Sequence, residues 1–381
     1  MRMSKKKEIV PKFRFPKYVN SEQWISTELS SLLDYERPDL YIVESDNYKN
    51  EGIPVLTANK SFILGYTDEK NNIYSCVPVI IFDDFTTEKK YVDFPFKVKS
   101  SAIKILKPKG NNVLKFVFEL MNTINFEAKE HKRYYISTYQ KLFVCVPKDV
   151  KEQQKIADCL SSIDELINAE SKKLKALKKY KKGLMQKLFP AEGKTLPEWR
   201  FLECKNTYEI KRKRLADVCY YKSSALTTND VKMDGKYNLY DANKIIGKVN
   251  IYASEDRYIT IIKDGAGVGR VRLMDGYTNF VGTMGMINNN EFVTIDYLYY
   301  LLQTIDFRVY AIGGTIPHIY FRDYSKKEIF LPHIGEQQKI ADCLSEIDTI
   351  ITEQSNKVEQ LKIHKKGLMQ GLFPSLEEVD V

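Results

Sequence analysis

The amino-acid sequence predicts an α+β protein in which two globular α/β domains alternate with two long helices that pair as an antiparallel coiled coil. Three observations support this fold class. The decapeptide EQQKIADCLS occurs at 152–161 and again at 336–345, and each copy opens a longer block that aligns with the other without a gap at an offset of 184 residues. The apolar residues of both blocks follow a heptad spacing. Short strand-like segments fill the sequence before each block.

The order of these features divides the chain into four parts. We predict a first globular domain at 1–150, a central long helix at 151–190, a second globular domain at 191–331 and a C-terminal long helix at 332–381. A gapless internal repeat of this length indicates an architectural duplication. Because the two helices are nearly identical while the globular sequences differ, we expect the helices to bind something fixed and the globular domains something variable.

An apolar stripe runs along each long block, which would form a helix roughly 55 Å long. Such a stripe needs a partner, and an antiparallel pair is the natural packing of two equivalent halves. The seam residues are Ile156, Leu160, Ile163, Ile167, Leu174, Leu177, Leu184 and Leu188 in the first block, and Ile340, Leu344, Ile347, Ile351, Val358, Leu361, Leu368 and Leu372 in the second.

Two seam positions are polar in both blocks: Glu170 matches Gln354, and Lys181 matches Lys365. These residues either fix the register of the pair, as buried polar residues do in coiled coils, or lie at its solvated edge. The ends of the first helix are marked by Asp149, which predicts a capping box with a glutamate three residues later, and by a proline at the end of the block.

The two globular domains repeat one plan of strands and a helix. LTANKSFILG (56–65) is answered by YDANKIIGKV (240–249), and PVIIFDDF (78–85) by YITIIKDG (258–265). NVLKFVFELMNT (112–123) is answered by VTIDYLYYLLQT (293–304), which has the apolar pattern of a helix. The chain is therefore a tandem of globular domain, long helix, globular domain and long helix.

Composition restricts the class of protein. The 381 residues are 43% hydrophobic and carry a net charge of +9, which suits a folded protein and is compatible with nucleic-acid binding. The six cysteines form no C-x-x-C pair and the four histidines are scattered, so we expect reduced thiols and no bound metal. No run approaches ~18 apolar residues, so we expect a cytoplasmic protein with no membrane partner.

A search for a catalytic site gives little. GAGVGR (265–270) follows a strand-like segment, but a dinucleotide-binding fingerprint requires a different glycine spacing and a following helix, so the pattern favours a tight hairpin loop. Asp83, Asp84, Glu88 and Lys90 suggest a stand-alone Mg²⁺-dependent nuclease as an alternative, although the second globular domain has no counterpart. The sequence contains no N-P-P-Y-type or D-P-P-Y-type methyltransferase motif.

Polar and cationic residues on the loops of both domains are candidates for DNA contacts, since Lys and Arg neutralise phosphates and Asn and Arg read base edges. Each of them taken alone is as readily a solvated surface residue. The candidates are Asn59, Lys60, Lys89, Lys90, Lys97, Lys99, Ser100, Ser101, Arg133 and Tyr134 in the first domain, and Asn243, Lys244, Arg270, Arg272, Thr283, His318 and Arg322 in the second.

Several segments carry a family resemblance: EQQKIADCLS and KKGLMQ-x-LFP in both blocks, LPEWRF, PVLTANKSFILGYT, VIIFDDFTT with FPFKVKSSA, YDANKIIG, GAGVGR, VGTMG and GGTIPHIYF. Through them nearly the whole chain resembles the specificity (S) subunits of type I restriction-modification systems. The first globular domain departs from the pattern, because it has no segment that aligns with GAGVGR or TIPHI.

The resemblance implies that each globular domain is a target recognition domain that reads one half of a bipartite, asymmetric site on double-stranded DNA. The helices would act as a spacer and as the docking surface for two modification (methyltransferase) subunits, which restriction or translocase subunits join. The chain itself would be non-catalytic and hold no cofactor, with S-adenosylmethionine on the modification subunits and ATP and Mg²⁺ on the restriction subunits. A coiled-coil adaptor that does not bind DNA is a further alternative.

Overall fold

The computed structural model describes residues 9–58, 61–130, 132–205 and 209–374. The chain forms two compact units: unit 1 consists of 1–170 with 357–381, and unit 2 consists of 171–356. Each unit therefore contains one globular part together with one end of each long helix.

The helices and strands follow the order that the sequence predicts. Those of the first half are β1 (Ile25–Glu28), β2 (Leu33–Glu36), β3 (Ile53–Leu56), β4 (Ile63–Thr67), β5 (Val79–Asp83), β6 (Lys89–Val92), β7 (Lys97–Val98), β8 (Ile103–Pro108), α1 (Leu114–Thr123), β9 (Phe143–Val146) and the long helix α2 (Val150–Leu188). Those of the second half are α3 (Leu202–Lys205), β10 (Lys211–Arg214), β11 (Cys219–Ser223), β12 (Tyr237–Tyr240), β13 (Ile245–Val249), β14 (Tyr258–Ile262), β15 (Val271–Met274), β16 (Asn279–Phe280), β17 (Met284–Asn289), α4 (Ile295–Gln303), α5 (Phe321–Tyr324), β18 (Glu328–Leu331) and the long helix α6 (Ile334–Leu372).

The two globular parts have the same sheet topology. In unit 1 the strand orders are β2-β8-β5-β6 and β4-β3-β7, and β1 pairs with β9. Unit 2 repeats this arrangement with β11-β17-β14-β15 and β13-β12-β16, while β10 pairs with β18. All neighbouring strands are antiparallel except β3 with β7 and β12 with β16, which are parallel. The repeated plan predicted from the sequence is thus confirmed.

The central strand of each four-stranded sheet is buried on both faces. Ile80 and Phe82 of β5 pack in a core with α1 and the ends of the long helices, whereas Val79 and Ile81 pack against the three-stranded sheet. Alternating residues of a strand point to opposite faces, so one strand serves both cores. The fully apolar character of VIIF follows from this double burial.

The two long helices are antiparallel. In unit 1, Ile156 and Leu160 near the start of α2 share a core with Leu372 at the end of α6. In unit 2, Leu188 at the end of α2 shares a core with Ile340 near the start of α6. Every predicted seam residue is buried or half-buried. The start of each helix thus lies beside the end of the other, which confirms the predicted antiparallel pairing.

The polar lysines of the seam form ion pairs across the two helices. Lys365 Nζ lies 2.7 Å from Asp164 Oδ1 in unit 1, and Lys181 Nζ lies 2.7 Å from Asp348 Oδ1 in unit 2. The two lysine side chains are 17% and 15% exposed. Each residue is repeated after 184 positions, so the two ion pairs are copies of one contact. Because these lysines are paired and shielded from water, they favour the interpretation that the polar seam residues fix the register of the helix pair, not the alternative that they lie at its solvated edge.

The other polar seam position is shielded as well. Lys357 donates to the carboxylate of Glu170, whose side chain is 14% exposed. Gln354 is 6% exposed. Neither polar position of the seam is therefore a freely solvated one.

The ion pairs also join the helices to the single helix of each globular part. Glu119 on α1 is fully buried, with its carboxylate 3.1 Å from Lys365 Nζ and 3.0 Å from Lys115 Nζ. Tyr300 takes the matching place on α4, and its hydroxyl donates to Asp348 Oδ2 at 2.9 Å. A carboxylate in unit 1 and a phenol in unit 2 thus fix the same helix-to-helix contact.

The repeated Glu of EQQKIADCLS is a buried anchor. Glu152 accepts hydrogen bonds from Arg14 Nε and Nη2, both at 2.8 Å, and from Trp24 Nε1 at 3.2 Å. The side chains of Glu152 and Arg14 are 2% and 6% exposed. In unit 2, Glu336 accepts from Arg200 Nε at 2.9 Å. A bidentate Arg–carboxylate pair shielded from water holds its geometry firmly.

The following glutamine fastens the globular helix. Gln153 Oε1 accepts from the backbone N–H of Val113 at 3.0 Å, and Gln337 Oε1 accepts from that of Thr294 at 3.0 Å. Both N–H groups lie at the N-terminal end of α1 or α4, where backbone donors lack partners within the helix. The repeated Glu and Gln of the EQQ segment therefore hold each long helix to its globular part through the same contacts in both units.

The predicted capping box at the start of α2 is only half right. Asp149 Oδ1 accepts from the Lys151 N–H at 2.8 Å, as a capping residue should. The carboxylate of Glu152 is turned to Arg14 instead, because a buried guanidinium binds it more strongly than a backbone amide.

Each globular part begins on the end of a long helix. Phe13 N donates to Gly371 O at 2.8 Å, and Trp199 N donates to Lys187 O at 2.9 Å. The Lys187 ammonium lies 4.1 Å from the centre of the Trp199 ring. In unit 1, a Cβ on Gly371 would come within 2.0 Å of the Phe13 ring. Trp24 is buried instead, so the two tryptophans are not equivalent; Trp199 corresponds to Phe13.

We expect Glu152→Gln to lower the free energy of unfolding of the full chain by about 3 kcal/mol, because it leaves the Arg14 guanidinium buried without a counter-charge. Urea unfolding followed by circular dichroism measures the change. Glu165→Gln, at an exposed position of the same helix, is the matched control and should have little effect. Equal unfolding midpoints for the two variants would contradict the anchoring role.

Two glycines of α6 make a second matched pair. Gly371→Ala should destabilise the chain by about 1–3 kcal/mol through the clash with Phe13, whereas Gly367→Ala, which meets nothing within 4 Å, should stabilise it by about 0.5–1 kcal/mol. Thermal unfolding of both variants checks the opposite signs. Adding Phe13→Ala should abolish the penalty of Gly371→Ala, and an unchanged penalty in the double variant would refute the contact.

Candidate nucleic-acid interface

A hairpin loop follows the central strand in both units. In unit 2 the segment GAGVGR lies in the loop between β14 and β15, where Gly265 has φ +93° and Gly269 has φ +85°. Side chains rarely adopt this left-handed region, so glycine suits both positions. The predicted hairpin loop is confirmed. The equivalent loop of unit 1 lies between β5 and β6 and spans 84–88.

Three segments converge on this loop in unit 2. Lys263 N donates to Thr283 O at 3.0 Å, and Ile319 N donates to Lys263 O at 2.9 Å. Gly265 N donates to Pro317 O at 2.9 Å. The hairpin, the turn before β17 and the segment before α5 are thereby held together by backbone hydrogen bonds.

Asp264 and His318 form the polar centre of this cluster. His318 Nδ1 lies 2.8 Å from Asp264 Oδ1, and Lys263 donates to Asp264 Oδ2. Partial burial opposes ionisation of Asp264, but the neighbouring ammonium and imidazole groups hold its pKa below the usual value. The carboxylate therefore stays charged at neutral pH. The imidazole ring is 41% exposed and can reach a ligand.

Two arginines lie on the other side of the hairpin. Arg270 Nη2 donates to Asn243 Oδ1 at 2.8 Å, and Arg272 Nη2 donates to the Asn243 carbonyl at 3.4 Å. The Arg272 guanidinium also lies 5.4 Å from the centre of the Tyr240 ring. Asn243, Arg270 and Arg272 line a cavity of about 220 Å³. Asn243 thus orients two exposed guanidinium groups, a donor arrangement suited to phosphate oxygens or a guanine edge.

The other candidates of unit 2 are exposed but less organised. Lys244 and Thr283 are exposed beside the segments just described. Arg322 lies on α5, where its guanidinium is 5.0 Å from the Tyr320 ring and 3.7 Å from Asp323.

Unit 1 repeats the backbone of this cluster with other side chains. Asp84 N donates to Ala102 O, and Tyr134 N donates to Asp84 O, both at 2.8 Å. These bonds match those of Lys263 in unit 2, so Arg133 stands where His318 stands, and Phe85 where Asp264 stands. The Arg133 guanidinium lies 5.9 Å from the Phe85 ring.

Of the other candidates in unit 1, Ser101 contacts this arginine. Arg133 Nη2 donates to Ser101 Oγ at 3.5 Å, and Ser100 Oγ accepts from the Ala102 N–H at 3.4 Å. Lys99 pairs with Asp46 and is 37% exposed. Lys90 is half-buried on β6. Asn59 and Lys60 lie outside the described residues.

Two predicted contacts are corrected. Lys97 is 2% exposed and pairs with Glu69 at 2.5 Å, so it stabilises the fold and does not face a ligand. Tyr134 is 4% exposed, and its hydroxyl donates to the Glu130 carbonyl at 2.9 Å. Lys89 is half-buried beside the Tyr139 ring, and burial lowers its pKa. The sequence pattern named Lys97 and Tyr134 as contacts because it does not show which side chains of a short strand or a compact turn point inward.

Two of the three carboxylates of the nuclease alternative, Asp83 and Asp84, have structural roles. Asp83 Oδ1 accepts from the N–H groups of Phe85 and Thr86 at 3.0 and 2.9 Å. Asp84 is 1% exposed, and its Oδ2 lies 3.3 Å from Lys104 Nζ. Among the described residues no cluster of His, Cys, Asp or Glu could hold a metal ion. The nuclease alternative therefore has no support.

Sequence reasoning missed Lys263, Asp264 and Phe85, which lie at the tip of the cluster. Their signal was positional: each follows directly after the buried central strand, where a hairpin exposes its side chains. In the described part of the chain no helix is long and apolar enough to span a membrane.

The fold and the two clusters define a protein with paired recognition domains of one topology, carried by an antiparallel helix pair. Comparison with known proteins identifies the family. Residues 208–361 match the family described as "Type I restriction modification DNA specificity domain". The "Type I restriction enzyme EcoR124I/EcoR124II specificity subunit" of Escherichia coli is 30% identical over 401 residues, which cover 94% of this chain and 96% of that protein.

Further relatives agree. The "Type I restriction enzyme MjaVIII specificity subunit" of Methanocaldococcus jannaschii is 28% identical over 255 residues, covering 59% of this chain and 60% of that protein. The crystal structure of a type I restriction-modification S subunit from M. genitalium has a TM-score of 0.68 at 18% identity and covers 97% of this chain and 100% of that one. This structural likeness shows the fold.

The chain belongs to the family of type I restriction enzyme specificity subunits. It is a non-catalytic DNA-specificity subunit, and neither the nuclease nor the adaptor alternative is favoured.

We expect Arg270→Ala to weaken DNA binding by the full chain and to lower the slope of log Kd against log salt by about 1, because one cation contact is lost. Fluorescence anisotropy at several salt concentrations measures both quantities. Arg212→Ala removes the same charge from β10, where Arg212 is 66% exposed and pairs with Glu328, and should leave the slope unchanged. Identical slopes for both variants would exclude Arg270 from the interface.

Proposed function

We propose that the globular part of each unit reads one half of a bipartite, asymmetric DNA site, while the long helices set the spacing and dock the modification subunits. The observation that carries this proposal is the equivalence of the two hairpin clusters. They share their strands and backbone hydrogen bonds but present different side chains. A common frame with different reading residues is what two different half-sites require.

The chemistry of the two clusters differs in a useful way. In unit 1 the Arg133 guanidinium lies over the Phe85 ring. This pair favours phosphates, base edges that carry hydrogen-bond acceptors, and stacking against a base. Unit 2 offers the carboxylate of Asp264 beside His318, which accepts from base amino groups, with Arg270 as a donor nearby. The two half-sites should therefore differ in sequence.

The remaining parts of the activity belong to partners. Two modification subunits would bind the helices and bring S-adenosylmethionine, and restriction or translocase subunits would join with ATP and Mg²⁺. The complex would act in the cytoplasm on double-stranded DNA. The segments that the two helices share letter for letter, EQQKIADCLS and KKGLMQ, support a partner that binds twice.

Exchanging residues 20–145 for the matching region of a related specificity subunit should change only one half of the methylated sequence, because the domain carries its own reading residues. Methylome sequencing of cells that express the hybrid with its modification subunit gives the result directly.

The reciprocal exchange of 209–331 is the control and should change the other half alone. A single exchange that alters both half-sites would show that the two globular parts do not read DNA independently. If cells that express the original chain with its modification subunit show no defined methylated DNA sequence, the proposed function itself is wrong.

A further inference from the structure

One backbone position near the hairpin tip carries a permanent cation in unit 1 and a titratable side chain in unit 2. The backbone hydrogen bonds described above place Arg133 and His318 at this shared position. Arg133 is exposed, and a guanidinium keeps its charge at every physiological pH. Histidine is the side chain that ordinarily gains or loses a proton between about pH 5 and pH 8. The two units therefore differ in whether this position can change its charge.

The backbone of His318 is held from two sides. His318 N donates to Ile312 O at 2.8 Å, and Ile312 N donates to His318 O at 2.9 Å. The next residue bonds the hairpin, because Ile319 N donates to Lys263 O at 2.9 Å. A residue held in this way loses little conformational freedom when a ligand binds.

The two ring nitrogens of His318 have different surroundings. Nδ1 lies 2.8 Å from Asp264 Oδ1. Because the Asp264 carboxylate is ionised, it accepts the hydrogen bond, and Nδ1 carries the proton. Nε2 forms no hydrogen bond with any residue in the described ranges, and the side chain is 41% exposed. Nε2 is therefore an acceptor in the neutral ring and a donor in the imidazolium.

The imidazole shares its counter-charge with a lysine. Asp264 Oδ2 accepts from the Lys263 ammonium, so the charges of Lys263 and Asp264 balance. With a neutral imidazole the three side chains carry no net charge, and with an imidazolium they carry one positive charge. A nearby anion therefore favours the protonated ring.

The neighbouring segments add few charges. Residues 311–314 (AIGG), which pair with the histidine, and the turn 281–283 (VGT) contain no ionisable side chain. Tyr221 on β11 is half-buried, and burial raises its pKa, so its hydroxyl stays neutral near pH 7. Arg322 and Asp323 on α5 lie 3.7 Å apart and offset each other. The imidazole is thus the titratable group through which DNA can change the charge of this cluster.

We infer that unit 2 takes up a proton at His318 when it binds DNA, and that the imidazolium donates from Nε2 to a DNA acceptor while Asp264 positions the ring. This inference rests on the proposed function, since DNA is the ligand. The acceptor is a phosphate oxygen or the O6 and N7 edge of guanine, to which cationic side chains donate. Arg133 supplies the equivalent donor in unit 1 without taking up a proton, so only unit 2 couples recognition to pH.

The dissociation constant for DNA, measured between about pH 6 and pH 8 at constant ionic strength, tests this coupling. Binding that takes up a proton weakens as the pH rises, by at most about tenfold in Kd per pH unit for one proton. Fluorescence anisotropy of the full chain on a duplex with its methylated sequence should show such a rise. His318→Arg should bind tightly at every pH and His318→Gln weakly at every pH, because neither side chain gains a proton in this range.

Two further variants separate charge from structure, with circular dichroism as a check of folding. Arg133→Gln, the matched control in unit 1, should weaken binding at every pH and leave the pH dependence unchanged. Asp264→Asn keeps an acceptor for Nδ1 but removes the negative charge, so the rise in Kd should move to lower pH. A rise that stays in place would show that Asp264 does not act through the imidazole.

Calorimetry of DNA binding in buffers of different ionisation enthalpy counts the protons directly. The original chain should take up more protons than His318→Gln or His318→Arg. Equal proton uptake, or a Kd with the same pH dependence in the original chain and His318→Gln, would overturn the inference while leaving the proposed function intact. If the original chain binds no DNA at any pH, both fail.

Methylome sequencing of cells that express His318→Arg with the modification subunit distinguishes the two acceptors. An unchanged methylated sequence identifies a phosphate, and a changed base in the half-site of unit 2 identifies a guanine edge. A change confined to the half-site of unit 1 would contradict the placement of His318 on the DNA.

Discussion

The antiparallel pairing of α2 with α6 is the constraint on which the rest of the structure depends. Because the helices run in opposite directions, the core of unit 1 is completed by Leu372 and Phe373 from the end of the chain, where they pack with Trp24 and Phe116. Apolar burial at this site is worth about 1.5–3 kcal/mol for each large side chain. The end of α6 therefore contributes to the stability of unit 1, and the ion pair of Asp164 with Lys365 fixes the register of the two helices there.

The same arrangement separates the parts that are alike in the two halves of the chain from the parts that differ. Glu152 and Gln153 of the EQQ segment make buried anchoring contacts, and Lys181 of KKGLMQ makes the ion pair of the seam, so changing these residues affects packing. The hairpin tips have no such restriction. Phe85 and Asp264 occupy one backbone position with unrelated chemistry, and so do Arg133 and His318. A specificity subunit can thus acquire a new half-site through its loops while keeping its frame.

The candidate interface was only partly predictable. Asn243, Arg270 and Arg272 were found because glycine-rich and Asn-Lys segments between strands mark exposed loops, and the structure brings all three together. Lys97 and Tyr134 were misassigned because a two-residue strand and a compact turn bury side chains that their sequence context leaves polar. Lys263 and Asp264 were missed because their importance comes from the segment at 317–319, which is distant in sequence.

The sequence by itself determined the long helices, their seam and the duplication of the globular plan. Heptad spacing is a local pattern, and an internal repeat is found by comparing the sequence with itself, so neither requires knowledge of tertiary contacts. The sequence also determined the family through motifs that span most of the chain. Only the tertiary structure decided that Glu152 binds Arg14, that Trp199 corresponds to Phe13, and that Arg133 corresponds to His318. These contacts join residues far apart in the chain, and the backbone hydrogen bonds that align them exist only once the sheets have formed.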